Sequence, residues 1–195
     1  MHSIYRGSVN RRRILQLLAV GPGALALALR DRPAMAEVKA VERLALAPRN
    51  LSLHNLHTGE RLALCYFDNG QYVRETLTQF NRLLRDHRSG EVAIMDQRLF
   101  DRLHALAVGA QCTPHFEVIS GYRSPQTNEA LRATSEGVAR HSLHTEGRAI
   151  DVRLAGTACS RLRDLALDLG GGGVGYYAQS DFVHLDTGRV RSWKG

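Results

Sequence analysis

The sequence predicts an α+β protein: a small antiparallel sheet with helices on its outer side and polar chemistry on its open face. Three observations carry that expectation. Stretches 149–154 and 181–186 alternate apolar and polar side chains with the two-residue period of a strand. Between other strand-like runs, apolar residues recur at helical spacing. The decamer Ser142-Leu143-His144-Thr145-Glu146-Gly147-Arg148-Ala149-Ile150-Asp151 joins a turn bearing an imidazole to a strand bearing a carboxylate.

Along the chain, 37–49 shows no clear period and reads as a lead-in. Runs 50–56 and 61–67 flank His57-Thr58-Gly59-Glu60 as a hairpin, with His54 and His57 as exposed turn residues. A helix is expected over 74–88, with Leu77, Phe80, Leu83 and Leu84 on its buried stripe and Ser89-Gly90 as its stop. Asp96 is placed to cap a second helix running to Val108 and ending at Gly109, with Leu99, Leu103, Leu106 and Ala107 inward. A strand over 116–120 leads into Gly121-Tyr122-Arg123, where a side chain can be aimed into a cleft. Ser124 and Pro125 then have the residue types of an N-cap and a first helical position, for a helix to about 135. After the decamer, 160–169 carries Leu162, Leu165, Ala166 and Leu169 on one side of a helix closed by Gly170. The run Gly170–Gly173 lacks both the Lys-Ser/Thr of a phosphate loop and the G-x-G-x-x-G spacing, so it reads as close backbone approach beside a cleft.

The first 36 residues have a different character. Asn10-Arg11-Arg12-Arg13-Ile14-Leu15-Gln16 looks like a twin-arginine export motif, a moderately apolar stretch follows to Leu29, and Ala34-Met35-Ala36 supplies an A-x-A cleavage site. The expected organisation is a signal peptide over 1–36, cut after Ala36 in the periplasm, and one domain over 37–195. The leader holds six arginines against one aspartate, so only about +2 of the chain's formal +7 belongs to the domain. There Lys and Arg are interspersed with acids rather than clustered on one face, which argues against a nucleic-acid partner. Cys65, Cys112 and Cys159 are odd in number, far apart and without a C-x-x-C pair, and none is a candidate nucleophile.

Strand alternation places Asp151 away from the apolar face of Ile150, Val152 and Leu154, and puts His184 and Asp186 on a common face. With His144, two imidazoles and a carboxylate would make a three-ligand metal site that keeps one position open. The decamer, the upstream Ile119-Ser120-Gly121-Tyr122-Arg123-Ser124, the later Gly171-Gly172-Gly173-Val174-Gly175-Tyr176-Tyr177 and the closing Phe182-Val183-His184-Leu185-Asp186-Thr187-Gly188 together resemble the zinc peptidoglycan peptidases related to D-Ala-D-Ala carboxypeptidases. The resemblance is greatest to the YcbK/MepK-type murein endopeptidases and extends from about Leu51 to Trp193.

That resemblance implies a hedgehog/DD-peptidase fold with a zinc cleft, in which His144, Asp151 and His184 bind Zn2+ and the ion lowers the pKa of bound water towards about 7. It implies that Arg123 polarises the scissile carbonyl or binds a substrate carboxylate, and that Ser142 contacts substrate; Tyr122 is a further substrate-binding candidate. Related enzymes carry a His two residues, or a Glu three residues, before the last ligand; here those positions are Phe182 and Asp181. Asp186, on the face of His184, is the expected base, with an orienting role or direct ligation as alternatives. The function expected is zinc-dependent cleavage of peptide cross-links in peptidoglycan. A carboxypeptidase acting on stem peptides, or a non-catalytic wall-binding zinc protein, is the alternative. The cross-link type, oligomeric state and physiological metal are left open, since His₂Asp sites also accept neighbouring transition metals.

Overall fold

A computed structural model describes residues 46–134 and 138–195; the expected leader and cleavage site lie outside the described residues. The α+β expectation holds, with four helices and one sheet among the described residues. The strands are β1 Arg49–Asn55, β2 Arg61–Asp68, β3 Gln71–Tyr72, β4 His115–Ser120, β5 Ala149–Leu154, β6 Gly173–Tyr177, β7 Phe182–Asp186 and β8 Arg191–Lys194. They lie in the order β3-β2-β1-β4-β5-β7-β6-β8. The sheet is larger than expected and not wholly antiparallel: β1 pairs with β4, and β6 with β8, in parallel.

The helices are α1 Arg74–Leu83, α2 Gln97–Ala110, α3 Pro125–Thr134 and α4 Cys159–Leu169. Helix α1 packs on β2, α2 crosses β1 and β5, and α4 covers β5, β6 and β7. The core lies between this layer and the sheet, where Phe80, Phe100, Leu53, Phe116, Ile150, Val152, Val183 and Leu185 are fully buried. Each such side chain removed from water contributes about 1.5–3 kcal/mol.

Local chemistry sets the ends. Asp96 caps α2 by accepting from the Arg98 N–H at 3.0 Å. That helix runs through Gly109 and stops at Gln111, which adopts the left-handed conformation. Ser124 caps α3, its Oγ accepting from the Thr127 N–H at 3.2 Å. Helix α1 is shorter than its apolar stripe suggests. Leu84 gives its carbonyl to the Tyr122 N–H, and the Asp86 carboxylate accepts from the Ser124 and Arg88 N–H groups, which turns the chain out of the helix. The cysteines are unpaired. No described helix is long and apolar enough to cross a membrane.

The parallel β6–β8 pairing has a simple origin. After β7, residues 187–190 pass over the start of β6 and β8 enters on its far side. On the face away from the helices, β6 presents Gly173 and Gly175. With no side chains there, β8 reaches across β6 to touch β7.

Candidate metal centre

His144 sits in a 3-10 turn, Leu143–Glu146, while Asp151 and His184 are opposite each other on β5 and β7. Strand alternation turns both strand residues away from Ile150, Val152, Val183 and Leu185, and the three site side chains converge on the face of the sheet opposite that core. All three are buried. His144 Nε2, His184 Nδ1 and Asp151 Oδ1 form a triangle with edges of 3.2, 2.8 and 3.3 Å. Donors bound tetrahedrally at about 2.0–2.1 Å lie about 3.3 Å apart, so this triangle has the dimensions of a three-ligand metal site.

The outer nitrogens agree with that fit. His144 Nδ1 lies 2.7 Å from the Gly121 carbonyl and His184 Nε2 lies 3.2 Å from Asp186 Oδ2. Both partners can only accept, so each ring carries its hydrogen on the outer nitrogen and leaves the inner one free as a ligand. The electrostatics show a site that attracts positive charge. Burial favours the neutral form of Asp151, but the two imidazoles outweigh it and hold its carboxyl well below the ordinary range. Burial lowers the pKa of His184, while hydrogen bonds to Asp151 and Asp186 more than compensate and raise it to about 9. Two carboxylates beside one ring make a position that favours positive charge.

Asp186 is fully buried and already saturated. Its carboxylate accepts from His184, from the N–H groups of Gly173 and Gly188 at 2.9 and 2.8 Å, and from Arg191 at 2.7 and 3.1 Å. Burial pushes its pKa up, but these donors prevail and keep it ionised. With about four lone-pair positions occupied, no acceptor remains for a water proton. The role of base does not fit Asp186; that of orienting His184 does. The Arg191 contact depends on Gly173, where a Cβ would lie 2.4 Å from Asp186 Oδ2 and 2.5 Å from Arg191 Nη1.

The triangle forms part of the floor of a cleft of about 630 Å³, lined also by Arg123, Ser142, His141 and Tyr177. Arg123 is half-buried and has only long bonds to neutral partners, 3.3 Å to Asn128 and 3.5 Å to Ser120. Burial lowers its pKa, with Asp151 the largest opposing influence. Its fork is therefore available to a planar acceptor entering the cleft. Tyr122 does not line the cleft: its ring packs on the core and its N–H is tied to Leu84. That corrects its expected role as a substrate contact. Asp181 is turned to solvent and paired with Arg153 at 3.5 Å.

Two arginines and an indole complete the site without having been singled out in the sequence. Arg102 on α2, buried, donates to the carbonyls of Asp186 at 2.6 Å and Gly173 at 3.2 Å and so holds the backbone under the Asp186 carboxylate. Arg191 pairs with that carboxylate from the other side. Trp193 lies beside His184, 5.1 Å between ring centroids.

Residues 43–193 match the family described as Peptidoglycan L,D-endopeptidase MepK. Proteins of that description from Escherichia coli (strain K12) and Shigella flexneri are each 44% identical over 184 residues, covering 94% of this chain and 97% of theirs. A Haemophilus influenzae protein described as a probable member is 37% identical over 179 residues, covering 91% of this chain and 94% of its own. Together with the buried His₂Asp triangle, the match over most of its length means that the chain belongs to the peptidoglycan L,D-endopeptidase MepK family of metallopeptidases.

Proposed function

We propose that this protein is a zinc-dependent murein endopeptidase that hydrolyses peptide cross-links of peptidoglycan, with the L,D bond named for its relatives as the preferred one. The triangle of His144, Asp151 and His184 on the cleft floor carries this reading, because its dimensions, tautomers and charge suit a divalent ion. Two imidazoles and one carboxylate are a donor set typical of catalytic zinc. Held by His144, Asp151 and His184, a zinc ion would supply Lewis acidity towards an amide carbonyl and towards water near neutral pH.

The chain's own residues do the rest. Asp186 holds His184 in the ligating tautomer, and the Gly121 carbonyl does so for His144. Arg123 binds the carbonyl or a neighbouring carboxylate of the stem peptide, and Ser142 contacts substrate at the cleft wall. The twin-arginine motif at 10–16 and the A-x-A site at 34–36 support export to the periplasm, where peptidoglycan lies, with cleavage after Ala36.

Purified protein tests the reading on muropeptide dimers joined through L,D or D,D bonds, with zinc and with chelator. Chelator-sensitive release of monomers from L,D dimers, lost in His144→Ala, is expected. Cleavage of D,D dimers alone would reassign the bond. Trimming of free stem peptides with dimers left intact would make the protein a carboxypeptidase, and no cleavage of any muropeptide would overturn the enzymatic reading.

A further inference from the structure

Arg123 is the one donor assigned to the cleft so far, and it serves either the carbonyl or a carboxylate of the substrate. At the two positions where a base stands in related enzymes, this chain has the solvent-turned Asp181 and the aromatic Phe182. Directly across the β6–β7 ladder from Phe182 stands Tyr177. The two rings are stacked, 4.5 Å between centroids and 15° between planes. Gly175 faces His184 in the same ladder, so Tyr177 is two residues along from the metal ligand on the same face of the sheet. Its side chain lines the cleft with the triangle and Arg123.

The phenol is held at its tip as well as on its face. Trp193 Nε1 donates to the Tyr177 hydroxyl oxygen at 3.1 Å. An indole N–H can only donate, so this bond uses a lone pair of the phenol and leaves the phenol's own hydrogen free. Trp193 is placed by the absence of a side chain at Gly175, where a Cβ would meet the indole at 2.6 Å. Among the described residues no hydrogen bond accepts the Tyr177 hydrogen. A fixed, unspent donor beside a metal triangle is the arrangement that stabilises charge appearing on a carbonyl oxygen.

We infer that Tyr177 is a catalytic residue: its O–H donates a hydrogen bond to the scissile carbonyl oxygen as negative charge develops there, and Trp193 is its positioning residue. The inference rests on the endopeptidase reading. No bond forms between Tyr177 and substrate and the phenolic proton stays on its oxygen, while hydrolysis adds one water across the amide bond.

The test is steady-state cleavage of a cross-linked dimer by the zinc-loaded protein, its Tyr177→Phe and Trp193→Phe variants and the double variant, with metal content measured for each. Tyr177→Phe keeps the stack on Phe182 and removes only the hydroxyl. Its kcat is expected to fall about 100-fold, with KM and zinc content unchanged. Trp193→Phe is expected to lower kcat when Tyr177 is present and to add no further loss in Tyr177→Phe, the coupling expected of a positioning residue. A wild-type kcat in Tyr177→Phe, a loss confined to KM, or equal effects of Trp193→Phe in both backgrounds would overturn the inference. If the wild-type protein cleaves no dimer, the endopeptidase reading itself has failed.

Discussion

The two halves of the sheet bury similar apolar side chains against the helices and differ on their other face. In β1 and β4 the buried residues alternate with partly exposed ones, so one face is core and the other is wetted. In β5 and β7 nearly every residue is buried, and the second face carries Asp151, His184 and Asp186. Burying those charges alone would cost several kcal/mol each. They persist because each is within reach of an opposite charge or a donor contributed by a neighbouring strand. One half of the sheet is organised by removing apolar surface from water, the other by mutual satisfaction of groups that water would otherwise hold.

The contrast can be broken at either end. The largest effect on chemistry is expected from Asp151→Asn, which keeps the shape but removes the ligand's charge. Cleavage should fall at least about 1000-fold and bound metal should drop, while the melting temperature, which loses the ion's contribution, should fall by less than in a core truncation. Phe100→Ala on α2 should do the reverse. A loss of about 3–5 kcal/mol in urea unfolding is expected, with near-normal turnover per folded molecule.

Arg102 joins the two regimes, being a core-side residue that serves the polar face. Arg102→Met should weaken zinc binding about 10- to 100-fold in a chelator competition, because the Asp186 backbone loses its anchor and the orientation of His184 relaxes. Equal zinc affinity in the variant would confine Arg102 to packing.

The smallest effect is expected at Asp96, which caps α2 and accepts from Thr187 at 2.6 Å, next to the site. Burial acts against its ionised form, but donors from Arg98 and Thr187 outweigh it and bring its pKa to about 2. A depressed carboxyl stabilises the fold above the unfolded value near 4, and that contribution disappears as the pH falls through about 2. Asp96→Asn preserves the cap, so its stability deficit should be present at pH 7 and should vanish near pH 2; being partly exposed, the group is worth at most about 1 kcal/mol. A deficit independent of pH would assign the stability to the Thr187 bond alone.

The sequence made some of these features legible and hid others, for physical reasons. Strand alternation was enough to send Asp151 and His184 to one face, because a two-residue period leaves no other choice once Ile150, Val152, Val183 and Leu185 are inside. Strands β6 and β8 were not legible. Gly173 and Gly175 give no side-chain period to read, and β8 is short and charged. Arg102 reads as a solvent-facing helix residue, since the carbonyls that make its burial tolerable, those of residues 166, 173 and 186, lie far along the chain. The choice among tyrosines was equally non-local. Tyr122 follows the strand that leads to the cleft yet turns to the core, whereas Tyr177 is exposed to the cleft through its pairing with Phe182.

The His144, Asp151 and His184 triangle has a consequence beyond catalysis. His144 and His184 are 40 residues apart in the chain, and a shared ion would act as a clasp on that loop. Such a clasp is reversible, and binding only the folded chain it adds about 2.7 kcal/mol when free metal is 100-fold above its dissociation constant. Metal supply would then govern how long the protein survives as well as how fast it works, and a starved cell would lose the molecule to unfolding and proteolysis along with its activity.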